Sequence, residues 1–150
     1  MDHLKYMQQA YEEALKAFRL REVPIGCVIA RGDEIIGRGY NRRRTDKNVL
    51  AHAETFSLYQ ACQAVGDWRL EGCRLYVTVE PCPMCAGAIV QARMDEVIYA
   101  AANPKAGCAG SILNLLDVPR FNHQVRIVQG VMREECAELM KTFFRSFRKT

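Results

Sequence analysis

Apolar residues recur at helical spacing from Leu4 through Met7, Tyr11, Leu15 and Phe18, which predicts a helix over residues 2–20 with that stripe turned inward. The pattern then shortens. GCVIAR (26–31) and IIGRG (35–39) are compact apolar runs around Gly32-Asp33-Glu34, the layout of a β-hairpin. A polar loop, YNRRRTDKNVL (40–50), leads to a second helical segment from His52 to Val65, with Leu58, Ala61, Cys62 and Val65 on one stripe. RLYVTV (74–79), rich in β-branched and aromatic residues, reads as a buried strand. Residues 82–93 read as a short helix, DEVIYAA (95–101) as a strand and NPKAGCAGS (103–111) as a Gly- and Pro-bearing loop. A short helix around 112–116, a last strand QVRIV (124–128) and a final helix over 131–148 complete the chain. A hairpin followed by alternating helices and strands predicts an α/β sandwich around a mixed sheet of about five strands. The length of 150 residues predicts one domain, 1–150.

The final helix carries more than a core stripe. Met132, Cys136, Leu139, Met140, Phe143 and Phe147 share one apolar face, and Phe144 falls roughly 80° from its centre at 100° per residue. An aromatic off the core stripe is either an edge-packing residue or a platform for a splayed base. The polar face runs from Glu134, Glu135 and Glu138 to Lys141, Arg145, Arg148 and Lys149. That order complements the helix dipole, and it equally offers phosphate contacts.

Composition narrows the class. The hydrophobic and charged fractions, 49% and 25%, are ordinary for a soluble globular protein. No apolar run is long enough to span a membrane, and MDHLKYMQQAYEE lacks the apolar core of a signal peptide, so a cytoplasmic location is expected. The net charge of +4 does not by itself argue for nucleic acid; NRRR (41–44) and Lys105 place some of it in the two loops. Seven cysteines, an odd number, exclude full internal pairing. Cys27, Cys62, Cys73 and Cys136 lie in apolar segments and read as small buried hydrophobes.

Only Cys82 and Cys85, in EPCPMC, have metal-ligand spacing. At i, i+3 they share one face at a helix start, where unpaired N–H groups favour thiolates. Pro81 and Pro83 suit that start, where a missing N–H costs nothing. A third donor is needed. His3 sits at a frayed start and His123 just before a strand; His52 opens a helix in HAET. His52, Cys82 and Cys85 form a three-ligand set, the count of a catalytic zinc with a fourth position for water. Cys108 is the alternative fourth ligand. Glu54, two residues beyond His52, is placed to take and return protons. A redox pair or two core thiols would explain C-x-x-C alone. The combined pattern H-x-E…P-C-x-x-C is the signature of zinc nucleobase deaminases.

The chain resembles the bacterial tRNA-specific adenosine deaminases of the cytidine deaminase superfamily. The resemblance rests on REVPIGCVI, GYNR, AHAE, YVTVEPCPMCAGAI, NPKAGCAGS, FNHQV and FFR, and covers nearly the whole chain. It implies a three-layer α/β/α, cytidine deaminase-like sandwich, one zinc ion per chain, and a homodimer. It implies conversion of adenosine to inosine at the wobble position of a tRNA anticodon, an arginine tRNA above all. Carried over, His52, Cys82 and Cys85 bind zinc and Glu54 moves protons. Asn41 holds the flipped nucleoside, Ile25 and Val28 line the base pocket, and Asn103, Lys105, Phe144 and Arg145 face the RNA. Two positions depart from the pattern: Asn103 replaces the usual Asp, and Thr55 a usual aliphatic residue, read as a local packing change. The rival readings are a deaminase of a free base or nucleotide, of guanine or cytosine type, and a non-catalytic zinc module, which leaves Glu54 without a role.

Overall fold

The computed structural model describes residues 2–147. Its elements are α1 (His3–Arg19), β1 (Gly26–Arg31), β2 (Glu34–Tyr40), α2 (Ala53–Val65), β3 (Cys73–Val79), α3 (Pro83–Gln91), β4 (Glu96–Ala101), β5 (Arg126–Gln129) and α4 (Arg133–Phe147), with a 3-10 turn at Leu115–Asp117. The strands form one sheet in the order β2-β1-β3-β4-β5. β1 runs antiparallel to β2 and β3, whereas β3, β4 and β5 are parallel. Alternate residues therefore serve opposite faces. Cys27, Ile29, Leu75, Val77, Val97 and Tyr99 pack with α2 and α3; Val28, Ala30, Tyr76, Ile98 and Ala100 pack with α1 and α4. The result is the expected α/β/α sandwich around a mixed sheet of five strands.

The stripe of α1 differs from the one predicted. Its buried residues are Tyr6, Met7, Ala10, Glu13, Ala14 and Ala17, and Leu4 is half exposed. The reason is distance. The helix lies so near β1 that a Cβ on Gly26 would overlap the Ala10 carbonyl and the Ala14 amide, so only small side chains fit between them. Phe18, on the flank, instead meets Phe143 and Phe147 of α4 edge-on, at 6.4 and 5.7 Å between ring centroids. α2 approaches the other face as closely, because β2 offers glycine there. A Cβ on Gly37 would overlap the Ser57 carbonyl, and one on Gly39 would meet Phe56 and the Ala53 carbonyl. The Ser57 hydroxyl, inside this contact, donates to the carbonyls of Ala53 (2.9 Å) and Cys27 (3.2 Å).

Smaller departures have local causes. The last strand starts at Arg126, since the Val125 amide turns to the Leu116 carbonyl at 2.8 Å. The short helix shrinks to the 3-10 turn, capped by the Asn114 side chain, which accepts from the Leu116 amide at 3.2 Å. Cys27, Cys73 and Cys136 are buried, whereas Cys62 is only half-buried, with its thiol toward the Trp68 carbonyl. His3 is docked rather than frayed: Nδ1 lies 2.8 Å from the Tyr76 hydroxyl. Among the described residues no helix is long and apolar enough to cross a membrane.

The strand directions fix where chemistry gathers. β2, β3 and β4 all end at one edge of the sheet, and β1 begins there. Residues 41–52, 80–85 and 102–111 leave from that edge, and residues 22–25 arrive at it. Crevices at strand ends are the usual ligand sites of open α/β sheets. Gly37→Ala should lower stability by about 1–3 kcal/mol through overpacking. It should shift the urea midpoint downward at constant slope; an unchanged midpoint would refute the close packing of α2.

Candidate active site

Three donors meet at this edge. His52 is the N-cap of α2, and Cys82 the N-cap of α3, with Pro83 next to it. His52 Nδ1 lies 3.8 Å from Cys82 Sγ and 3.6 Å from Cys85 Sγ. All three donor atoms lie within 4.8 Å of one another, and no other such group occurs among the described residues. Metal bonds of about 2.0 Å to nitrogen and about 2.3 Å to sulfur, at a tetrahedral angle, separate the donors by about 3.6 Å. The observed spans fit that geometry without movement. Cys108 is buried in the neighbouring loop and does not belong to the group.

Thr55 proves to be part of how His52 is held. Its hydroxyl oxygen accepts from the His52 amide at 3.0 Å and closes on the Leu50 and His52 carbonyls. An aliphatic residue would leave that amide without this partner. Thr55 is thus a capping residue for α2 rather than a packing change.

The electrostatics suit bound cations and moving protons. The Cys85 thiol donates to Cys82 and, with His52, holds the Cys82 thiol down at about 4. The same contact, together with burial, pushes Cys85 far up, and the Cys82 contact raises His52. A bound cation would favour the thiolate form of both cysteines. Glu54, in the first turn of α2, is only 4% exposed. Burial lifts its carboxyl to about 7, with the Cys82 charge adding to the effect. Such a group can both accept and release a proton near neutrality.

Two loops flank the donors, each hung on a buried glutamate that the sequence did not explain. Glu22 accepts from the amides of Arg44 (3.3 Å) and Thr45 (2.5 Å), inside the arginine loop. Glu80, 2% exposed, accepts from the amides of Asn103 (3.0 Å), Ala109 (2.9 Å) and Ser111 (3.0 Å) and from the Ser111 hydroxyl (2.5 Å). Burial opposes its charge, but these donors prevail and hold its carboxyl below the usual range. Gly107 seats against it: a Cβ there would overlap the carboxylate. The only sequence signal for Glu80 was its place two residues before Cys82.

The remaining candidates divide. Asn41 is buried; its amide nitrogen donates to the Val23 carbonyl (3.1 Å) and its oxygen accepts from the Arg43 amide (3.1 Å). One N–H of its amide is left over. Ile25 is half-buried at the same edge, packed on the α2–α3 side. Asn103 accepts from the Ala106 amide at 3.2 Å, a contact an Asp oxygen would make equally, so the departure removes a charge and keeps the turn. Lys105 is exposed in the same loop. Val28 does not belong with them. It is fully buried on the opposite sheet face, among Tyr6, Met7 and Tyr76, because odd and even positions of β1 point to opposite layers. His123 is tied by Nε2 to the Met94 carbonyl at 2.6 Å, away from the donors.

On α4, Phe144 is 45% exposed and meets Phe143 edge-on at 5.2 Å, as its off-stripe position predicts. Arg145 is exposed and pairs with Glu138 at 3.0 Å, a solvated contact of little strength. Arg148 and Lys149 lie outside the described residues. The last turn of α4 rests on Phe18, and Arg21 lies over the Phe147 ring at 5.3 Å. Arg21 in turn lines a cleft with Leu20, Arg44 and Thr45. The aromatic end of α4 and the arginine loop therefore share one side of the molecule.

A mixed-sheet sandwich with two helix N-termini presenting His, Cys and Cys, and a buried Glu beside them, defines a metal-site deaminase framework. A family model described as MafB19-like deaminase matches residues 1–148. A tRNA-specific adenosine deaminase of Bacillus subtilis (strain 168) is 51% identical over 144 residues, which cover 96% of this chain and 89% of the relative. A solved structure from studies of A-to-I editing by tRNA:A34 deaminases at the wobble position of transfer RNA is 40% identical, with a TM-score of 0.86 over 90% of this chain and 98% of that one. A guanine deaminase from Bacillus subtilis is 30% identical with a TM-score of 0.66, covering 100% and 96% of the two chains. The chain belongs to the tRNA-specific adenosine deaminase family.

Metal analysis of the purified protein checks the donor set directly. We expect about one ion per chain in the wild type and none in Cys82→Ala, since a site of three donors does not survive the loss of one. A folded wild-type protein free of metal would contradict the assignment.

Proposed function

We propose that this chain is a zinc-dependent hydrolase that converts adenosine to inosine at the wobble position of a tRNA anticodon, with an arginine tRNA as the expected substrate. The observation that carries the reading is the three-donor cluster with Glu54 buried beside it, in a chain whose relatives at high identity are tRNA-specific adenosine deaminases. The donor chemistry, one imidazole and two thiols, suits zinc. Zinc bound there supplies a Lewis acid that lowers the pKa of water to about 7.

The chain's own residues do the rest. Glu54 takes a proton from the attacking water and gives it to N1 of the base as the oxygen bonds to C6. It then carries the hydroxyl proton of that adduct to the 6-amino group, the C6–N bond breaks, and inosine and ammonia result. Asn41, with its free N–H, hydrogen-bonds the extruded nucleoside, and Ile25 provides apolar contact beside it. Asn103 and Lys105 from one loop, and Phe144 and Arg145 from α4, engage the RNA on either side. Extruding a base from a single-stranded anticodon loop costs little compared with a duplex. The active form is a homodimer of single-domain chains, working in the cytoplasm.

A free-base deaminase shares the fold, as the guanine deaminase relative shows, but has no use for an exposed aromatic and basic helix end. Ammonia release separates the two. We expect turnover of an anticodon stem-loop and none of free adenosine, adenine, guanine or cytidine; turnover of a free base alone would reverse the conclusion. Glu54→Ala should keep metal and fold while slowing the reaction by about 10²–10⁴-fold. Phe144→Ala should raise the stem-loop KM by about tenfold, within the range for a lost base–aromatic stack. An unchanged KM would remove Phe144 from the RNA surface.

A further inference from the structure

Glu80 is one of two buried carboxylates of the site edge, with Glu22, that the mechanism above leaves unused. A buried carboxylate is costly unless its acceptor capacity is filled. Here four donors fill it, and all come from one loop: the amides of Asn103, Ala109 and Ser111 and the Ser111 hydroxyl. The contacts are divided. Oε1 receives the Asn103 amide and the Ser111 hydroxyl, and Oε2 the amides of Ala109 and Ser111. One carboxylate thus pins both ends of the loop, while Gly107 in its middle packs against the carboxyl carbon. The adjacent Pro81 carbonyl adds a fifth tie, accepting from the Cys108 amide at 2.9 Å. Glu80 and Pro81 lead straight into Cys82, so the loop is set in register with the metal donors.

We propose that Glu80 is a positioning residue that holds the Asn103–Lys105 segment at a fixed place beside the donor cluster, and so sets the grip on the RNA flanking the target base. This rests on the functional reading above. Glu80 touches neither the donor atoms nor the base and acts through the loop. Asn103 hangs on it by the backbone amide, with its side chain committed to the Ala106 amide. Lys105, exposed two residues on, projects from that turn.

The divided contacts make Glu80→Gln a selective probe. A carboxamide can still accept from the Ala109 and Ser111 amides with its oxygen, and its NH2 can donate to the Ser111 hydroxyl. That same NH2 then faces the Asn103 N–H, donor against donor. The substitution releases the Asn103 end and keeps the other. Hydrogen exchange should therefore speed up at Asn103 and stay slow at Ala109 and Ser111. On the anticodon stem-loop, KM should rise about tenfold for one lost anchor, with kcat within about twofold and the metal content unchanged. Lys105→Ala should raise KM in the wild type and have a smaller effect in the Glu80→Gln background, because the segment it sits on is already loose. Unchanged exchange at Asn103, an unchanged KM, or a fall in kcat together with loss of metal would each overturn the proposal. A wild-type protein inactive on the stem-loop would overturn the functional reading instead, and exchange would still decide whether Glu80 holds the loop.

Discussion

Two helix N-termini point at the same spot, and the site depends on that convergence. Each helix begins on a donor: His52 caps α2 and Cys82 caps α3. Their unpaired backbone amides and aligned dipoles favour the thiolate charge that a metal requires. The convergence is held from behind by close packing. β2 presents Gly37 and Gly39 to α2, so the helix lies against the sheet with no side chain between them. The Ser57 hydroxyl is spent within that contact, on the Ala53 and Cys27 carbonyls. Lifting α2 by the width of a methyl group would carry His52 away from the two sulfurs, which lie 3.6 and 3.8 Å from its ring nitrogen.

Three buried glutamates stand at the same edge and differ in what surrounds them. Glu22 and Glu80 face rows of backbone amides and act as anchors for two loops. Glu54 has few donors of its own, and burial lifts its carboxyl to about 7. The same side chain is thus a fixed anion where N–H groups converge on it and a carboxyl with a raised pKa where they do not. The anchored loops carry Asn41 and the arginines on one side and Asn103 and Lys105 on the other. The candidate RNA-contacting groups thus sit on loops tied down by buried charges.

Period and motif revealed the element order, the five strands, the three donors and Glu54, because each depends on local spacing. What escaped depends on distance through space. The stripe predicted for α1 favoured large residues, yet Gly26 brings that helix so near that the alanines face the sheet and Phe18 turns to α4. Val28 was expected at the base pocket through resemblance, but strand alternation puts it in the opposite layer. Thr55 looked like a packing change because its partner is a backbone amide that no side-chain pattern reveals. Glu80 bonds to residues 23 to 31 positions away, through main-chain groups common to every residue, so its function was not legible in EPCPMC. Phe144 was readable, since an exposed aromatic off a helical stripe is itself a periodicity signal.

Two thiols and one imidazole, with no fourth protein group, form the donor set offered to a metal. X-ray absorption at the metal edge of the purified protein reads this most directly. Zinc with two sulfur neighbours at about 2.3 Å and two lighter ones at about 2.0 Å is expected, one of the latter being the imidazole nitrogen. A third sulfur neighbour, such as the Cys108 thiol, would close the open position and rule out a three-donor site.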